Sequence, residues 1–185
     1  MRVDSFTRFS GSTIVMIVLI AALSITGSLA FACAAPLAAI AALAAFSMSR
    51  KTGLALVVTA WLSNQIVGFG LLHYPQTFDT VAWGAALGVS TIVAFLVAHA
   101  VVQRIHGGSL ILTLPVAFPI AFAIYQLALY LTGMPLEGAE ATLSEAVVAR
   151  VFEVNLVSFA ALVVLQLAWS HFARPESAER VSSAA

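Results

Sequence analysis

The chain has 185 residues, of which 62% are hydrophobic and only 9% are charged, and its formal net charge is zero. A soluble domain typically carries about 25% charged residues, so this sequence excludes an ordinary water-soluble protein and predicts an all-α integral membrane protein. The zero net charge, without a basic stripe, argues against a nucleic-acid partner. A single cysteine, Cys33, excludes an internal disulfide and a cysteine-based zinc cluster.

The first uncharged run, residues 13–49, is too long for one membrane crossing. As a single helix it would extend about 55 Å, whereas about 20 residues suffice to cross a hydrocarbon core of about 30 Å. Pro36 interrupts the run, and a proline inside a helix removes a backbone hydrogen bond and ends or kinks the helix. We therefore expect two spans here, at residues 13–32 and, short and rich in alanine, at residues 34–49.

Four later runs each have the length of a span, at residues 52–72, 80–103, 109–132 and 147–172. With six spans and the N-terminus inside, the cytoplasmic segments hold most of the basic residues: Arg2, Arg8, Arg50, Lys51, Arg104, Arg174 and Arg180. The outer segments hold one base, Arg150, and four acids: Asp79, Glu137, Glu140 and Glu145. Because a cytoplasmic excess of lysine and arginine orients membrane proteins, we expect six transmembrane helices with both termini cytoplasmic.

These spans form a single transmembrane domain over residues 1–173, and the polar tail at 174–185 is expected to be disordered. Arg2, Arg8 and the triplet Ala30-Phe31-Ala32 also fit a cleaved secretory signal. We favour an uncleaved first helix, because cleavage would spoil the alternation of charge.

Small residues recur four apart in the second span, as Ala38 with Ala42 and Ala41 with Ala45. Small side chains let helix backbones approach closely in lipid. The pattern is consistent with internal packing of the first two helices or with a docking face for another membrane subunit, and spacing alone does not separate the two.

The third span carries the densest polar group, with Trp61, Asn64, Gln65 and Gly68. An unpaired amide at mid-membrane costs several kcal/mol, so these side chains must face the interior, a neighbouring helix or a wet cavity. They are either an interhelical clamp or part of a ligand site. Later polar residues could meet the same interior: Tyr125, Gln126 and Asn155.

Three outer loops meet above these helices. The first holds Cys33 and Pro36, the second runs from His73 to Trp83, and the third, at residues 132–144, is acidic. Tyr74 and Trp83 fit an interfacial aromatic belt or a ring-stacking site. Thr142 and Glu145 form a capping-box pattern that predicts the start of the last helix.

Arg150 and Glu153 lie three apart, so they can pair on one helix face, either as a structural ion pair or as ligand contacts. Hydrolase, nucleotide-binding and metalloprotease motifs are absent from the sequence, so we expect neither an enzyme nor a cofactor. His99 lies within a predicted span, and we interpret it as a hydrogen-bonded packing residue.

Six short helices, both ends inside, alanine-rich early spans and polar outer loops together resemble the membrane-embedded substrate-binding (S) components of energy-coupling factor vitamin transporters. The stretches ACAAPLAAIAALAAF and WLSNQIVGFGLLHYPQTFDTVAWG look most like the cobalamin-type members. The resemblance implies a multi-pass protein of the bacterial cytoplasmic (inner) membrane. It implies capture of a vitamin-like small molecule at the outer face, and docking on a transmembrane coupling subunit with its ATPases.

Carried over to this chain, the resemblance implies a ligand zone of Asn64, Tyr74, Asp79, Trp83 and Arg150. It also raises Cys33 or His73 as a cobalt ligand. Two other interpretations stay open: a non-catalytic accessory or assembly subunit of a larger membrane complex, and a small channel or ion carrier. An assembly subunit would have no solvent-reachable cavity, and a channel would need a polar path through the full thickness.

Overall fold

A computed structural model describes residues 35–105 and 110–172, without the side chains of residues 110–115 and 168–172. All regular secondary structure in these residues is helical, and they contain no strand. The predicted first span, the predicted tail and Cys33 lie outside the described residues.

Six α-helices follow one another in the described part of the chain. Their bounds are α1 Leu37–Ser47, α2 Arg50–Gln65, α3 Phe78–Arg104, α4 Leu110–Gly133, α5 Ala139–Thr142 and α6 Glu145–Phe172. A π-helical segment, Ile66–Leu71, continues α2 without a break. Four stretches are long and apolar enough to cross a membrane: Arg50–Leu71, Phe78–Arg104, Val116–Gly133 and Glu145–Leu167. They match the last four predicted spans and support a multi-pass membrane protein.

The predicted second span has a different form. With 11 residues, α1 is about 16 Å long, roughly half of what a crossing needs. Its residues 37–45 are at most 1% exposed, and α2, α3, α4 and α6 all contact it. A helix that is apolar all round is a buried helix, and α1 is the central one. The four alanines of its small-residue pairs are packed within the chain itself.

The ends of α1 obtain hydrogen bonds from neighbouring helices. Asn155 on α6 is fully buried, and its Oδ1 accepts the Ala39 N–H at 3.0 Å. Its Nδ2 donates to the Val151 carbonyl of its own helix at 2.8 Å. At the other end, Nδ1 of His99 on α3 donates to the Ala45 carbonyl at 3.1 Å. In a water-free interior the free backbone groups of a helix end need such partners.

His99 therefore has the packing role predicted for it, with its ring stacked on Phe95 at 5.5 Å between centroids. Asn155 does face the interior, as expected, but its amide binds the backbone of α1. Both polar side chains replace the capping residues that α1 lacks, because its own N-cap, Pro36, makes no side-chain cap bond.

Helices α2 and α3 pack closely because glycines on α3 receive an aromatic ring. A Cβ on Gly88 would lie 2.5 Å from the Trp61 ring, and Trp61 Nε1 donates to the Gly84 carbonyl at 2.8 Å. Near the start of α2 the arrangement is reversed, with Phe95 of α3 against Gly53. Small residues thus set the spacing of two antiparallel helices.

The connection between α4 and α6 differs from the prediction. Thr142 ends the short α5 and does not cap the last helix, which begins at Glu145. The Ser144 carbonyl accepts the Val148 N–H at 2.9 Å, so Ser144 occupies the position before the first helical residue. The acidic third loop is consequently folded into a helical turn of its own.

A cavity at the N-terminal end of the buried helix

The described part of the bundle contains a cavity of about 220 Å³. Ala35 and Leu37, at the start of α1, lie on its wall. Because α1 runs beside only the first half of α2, the cavity lies where this central helix begins. The cavity is thus bounded on one side by the first residues of α1.

Polar and aromatic side chains from three helices and one turn meet in this cavity. Asn64 comes from α2, Trp83 from α3, and Tyr125 and Gln126 from α4, while Tyr74 comes from the turn after the π-helical segment. Three of these, Asn64, Tyr74 and Trp83, belong to the predicted ligand zone. Tyr125 and Gln126 were also expected to face the same interior as Asn64, because all three lie at a similar depth in the predicted membrane.

The π-helical segment places Tyr74 on the cavity wall. The Leu72 N–H donates to the Val67 carbonyl at 2.9 Å, the five-residue step of a π-helix. The Tyr74 N–H then donates to the Gly68 carbonyl at 3.1 Å, and its ring lies 3.0 Å from the position that a Cβ on Gly68 would take. Glycine at this position lets the ring fold back over the helix end.

His73 ends the segment in a left-handed conformation, with φ of 53°, and its Nδ1 donates to the Leu71 carbonyl at 2.9 Å. Its side chain is exposed and is not on the cavity wall. Within the described ranges, no group of three histidine, cysteine, aspartate or glutamate side chains is placed to hold a metal ion. The other predicted cobalt ligand, Cys33, lies outside these ranges.

Asp79 and Trp83 bind the backbone of the connection between α4 and α5. Asp79 Oδ1 accepts the Glu137 N–H at 3.3 Å, and Trp83 Nε1 donates to the Glu137 carbonyl at 3.0 Å. The Trp83 ring also packs on Gly133 at the end of α4. Asp79 itself is not on the cavity wall, so its position suits a positioning role for the loop.

Arg150 also lies outside the cavity wall. It pairs with Glu153 at 3.4 Å, as their spacing predicted, but the two side chains are 61% and 65% exposed. An exposed pair of this kind contributes little to stability. Of the five predicted ligand residues, the structure therefore brings together three and places Asp79 and Arg150 elsewhere.

Much of the cavity wall is apolar and was not predicted. Val147, Val148 and Val151 on α6, with Leu143 before it, contribute aliphatic surface, and Thr142 comes from α5. Nothing in the sequence distinguishes these valines from lipid-facing ones. Their periodicity along α6 is the only available signal, and it requires knowing which face of α6 turns inward.

Gln126 carries an unusual atom. Its Oε1 is buried and has no hydrogen-bond partner among the described residues. An unsatisfied buried acceptor costs about 1–3 kcal/mol. The amide that carries this atom belongs to a residue of the cavity wall, so a molecule bound in the cavity could hydrogen-bond the amide after it rotates.

The charges of the described residues differ between the two ends of the bundle. Arg50 and Lys51 begin α2 and Arg104 ends α3, all at the end away from the cavity. The acids of the predicted outer segments lie at the cavity end. If the basic end is cytoplasmic, as the charge rule predicts, the cavity belongs to the outer half of the membrane.

Comparisons of the chain with protein-family models, with curated proteins and with solved structures give no match.

Proposed function

We propose that this chain is a non-catalytic membrane protein that captures a small molecule in the cavity at the N-terminal end of α1 for uptake across the bacterial cytoplasmic membrane. The cavity is the observation that carries the proposal. It combines aliphatic walls, aromatic side chains and a few converging polar groups, which is typical of small-molecule sites. It also lies at the end of the bundle that the charge pattern predicts to be outside.

Several features support capture over an assembly role. A subunit that only packs against others would have a filled interior at this level, whereas Asn64, Tyr125 and Gln126 lie on the wall of a cavity. Asn155 and His99 hold the backbone of α1 by hydrogen bonds. The channel alternative would need polar residues along the whole bundle, and α1 fills the basic half with aliphatic side chains.

The resemblance to substrate-binding components of vitamin transporters agrees with this proposal, and a coupling subunit with ATPases would then supply energy. Cavity size bears on the ligand. Drug-sized ligands occupy pockets of roughly 300–1,000 Å³, and 220 Å³ falls just below that range. A corrinoid is larger than such ligands, so this cavity favours a smaller vitamin-like molecule over cobalamin.

The experiment compares two valine-to-tryptophan variants on the same helix. Val148 lies on the cavity wall, whereas Val157 is 68% exposed on the lipid-facing side of α6. Val148→Trp should fill the cavity, and Val157→Trp is the matched control for adding an indole to α6. Each full-length protein is purified in nanodiscs, and the small molecules that it retains are identified by mass spectrometry.

We expect the wild type and Val157→Trp to retain the same small molecule and Val148→Trp to lose at least nine-tenths of it. If all three proteins carry the same compounds in the same amounts, the cavity is not a capture site and the assembly-subunit alternative is favoured. If the compound lost is a phospholipid, the cavity is a lipid site and the uptake proposal fails.

A further inference from the structure

The cavity wall carries no formal charge among the residues that the structure describes. Three charged side chains at this end of the bundle have partners away from the wall: Asp79 accepts from the Glu137 backbone, and Arg150 and Glu153 pair at the surface. The carboxylates of Glu137, Glu140 and Glu145 are not on the wall either. In the sequence, residues 9–34 also contain no lysine, arginine, histidine, aspartate or glutamate. A charged ligand would therefore lose its hydration without gaining a counter-ion, which is costly at this depth.

The N-terminus of α1 does not replace the missing counter-ion. Free N–H groups in a first helical turn can bind an anion, but here Pro36 has none. The Ala39 N–H donates to Asn155, and the Leu37 N–H donates to the Ala35 carbonyl at 2.8 Å. Two of the three N–H groups of the first turn thus have partners inside the protein.

The wall does offer aromatic surface and one amide. Tyr74, Trp83 and Tyr125 lie around the cavity, and their rings favour contact with a flat, polarizable molecule. The Gln126 amide lies on the same wall with its Oε1 unpaired. In the orientation shown, Oε1 is enclosed by the protein. Because the oxygen and the nitrogen of an amide exchange places on rotation about its terminal bond, the Gln126 amide can offer either an acceptor or a donor to a molecule in the cavity.

From these observations we infer that the cavity selects an uncharged, flat molecule with a polar group that hydrogen-bonds the Gln126 amide. The inference rests on the proposed function and names the class of ligand. Neutrality follows from the uncharged wall, flatness from the three aromatic rings, and the polar group from the amide on the wall.

Three probes with the same ring system test each part: 2-naphthamide, its anionic counterpart 2-naphthoate, and 2-methylnaphthalene, which has no hydrogen-bonding group. Binding is measured by equilibrium dialysis against the full-length protein in nanodiscs, with empty nanodiscs to subtract partition into lipid. We expect saturable binding of 2-naphthamide and at least tenfold weaker binding of 2-naphthoate.

Gln126→Leu isolates the hydrogen bond. Replacing an unpaired buried amide by an apolar side chain of similar size leaves no new orphan group, so the variant should fold as well as the wild type. The variant should bind 2-naphthamide about fivefold more weakly, because one net hydrogen bond is lost. Its affinity for 2-methylnaphthalene should change by less than twofold. Gln126→Asn keeps an amide on a shorter side chain, so its affinity for 2-naphthamide should lie between those of the wild type and Gln126→Leu.

The outcomes separate this inference from the proposed function. Binding of 2-naphthoate as tight as that of 2-naphthamide would overturn the inference, as would an equal effect of Gln126→Leu on 2-naphthamide and 2-methylnaphthalene. Absence of saturable binding for every probe would overturn it too, and the proposed function would still stand if Val148→Trp loses its co-purified molecule. The proposed function itself fails if Val148→Trp retains an unchanged set of compounds, or if the compound that it loses is a phospholipid.

Discussion

Replacing Asn155 by leucine should destabilise the bundle by removing the cap of a buried helix. Leucine resembles asparagine in shape, so it fills the same space without leaving a cavity. The change removes the acceptor of the Ala39 N–H and the donor to Val151. Only the first loss matters, because the Val151 carbonyl lies inside α6 and keeps its place in the helical hydrogen-bond ladder.

The magnitude follows from the burial of the orphaned group. Ala39 is fully buried, so no water can reach its N–H. A buried donor left unpaired costs about 1–3 kcal/mol, while interhelical side-chain bonds in membranes average only about 0.6 kcal/mol, because the unfolded state also finds partners. The orphan here is a backbone group at a helix end, and we expect a loss of about 1–2 kcal/mol.

The assay is unfolding by SDS in mixed micelles, followed by far-ultraviolet circular dichroism. Thr91→Val is the matched control: Thr91 is as buried as Asn155, and its hydroxyl donates to the Leu87 carbonyl of its own helix at 2.7 Å. Removing that hydroxyl orphans no donor, so the free energy of unfolding should change by less than about 0.5 kcal/mol. Equal effects of the two substitutions would refute the capping argument.

Three further predictions follow from other contacts. His99→Phe keeps a ring to stack but leaves a carbonyl at the end of α1 without its donor, so SDS unfolding should show a loss of about 1 kcal/mol; no loss would mean that this end of α1 needs no cap. Gly88→Ala should lower the free energy of unfolding by about 1–3 kcal/mol in the same assay, because the new methyl group overpacks against Trp61. Gly70→Ala is the control, since its methyl group would meet no atom within 4 Å, and it should be neutral or slightly stabilising. Equal effects of the two substitutions would contradict the close-packing argument. Topology reporters fused at position 76 should read external and at position 104 cytoplasmic; the reverse readings would overturn the proposed orientation.

Two kinds of feature could be predicted from the sequence: the membrane-spanning helices, from long apolar runs, and part of the cavity wall, from isolated polar and aromatic residues. The last four spans agree with the structure because length and hydropathy are sufficient to identify a membrane helix. Asn64, Tyr74 and Trp83 were selected as polar or aromatic groups at the cavity end, and all three lie on its wall. These are properties of single residues, and they do not require knowing which helices are neighbours.

What could not be predicted depends on helix rotation and pairing. Arg150 and Val151 are adjacent in sequence, yet only Val151 reaches the cavity, because successive helical residues point about 100° apart. Asp79 looked available for a ligand, but its carboxylate binds the backbone of a loop 58 residues away. The half-length of α1 was visible as a short alanine-rich run, whereas its burial among four helices depends on contacts that no local pattern encodes.

The placement of the two caps has a consequence for biogenesis. Helix α1 is synthesised before both of the residues that satisfy its ends, since His99 lies 54 residues beyond Ala45 and Asn155 lies 116 residues beyond Ala39. The C-terminal end of α1 can therefore be capped once α3 is made, whereas the Ala39 N–H has its side-chain partner only after α6 is made. A chain that stops before α6 lacks this cap at the centre of the bundle.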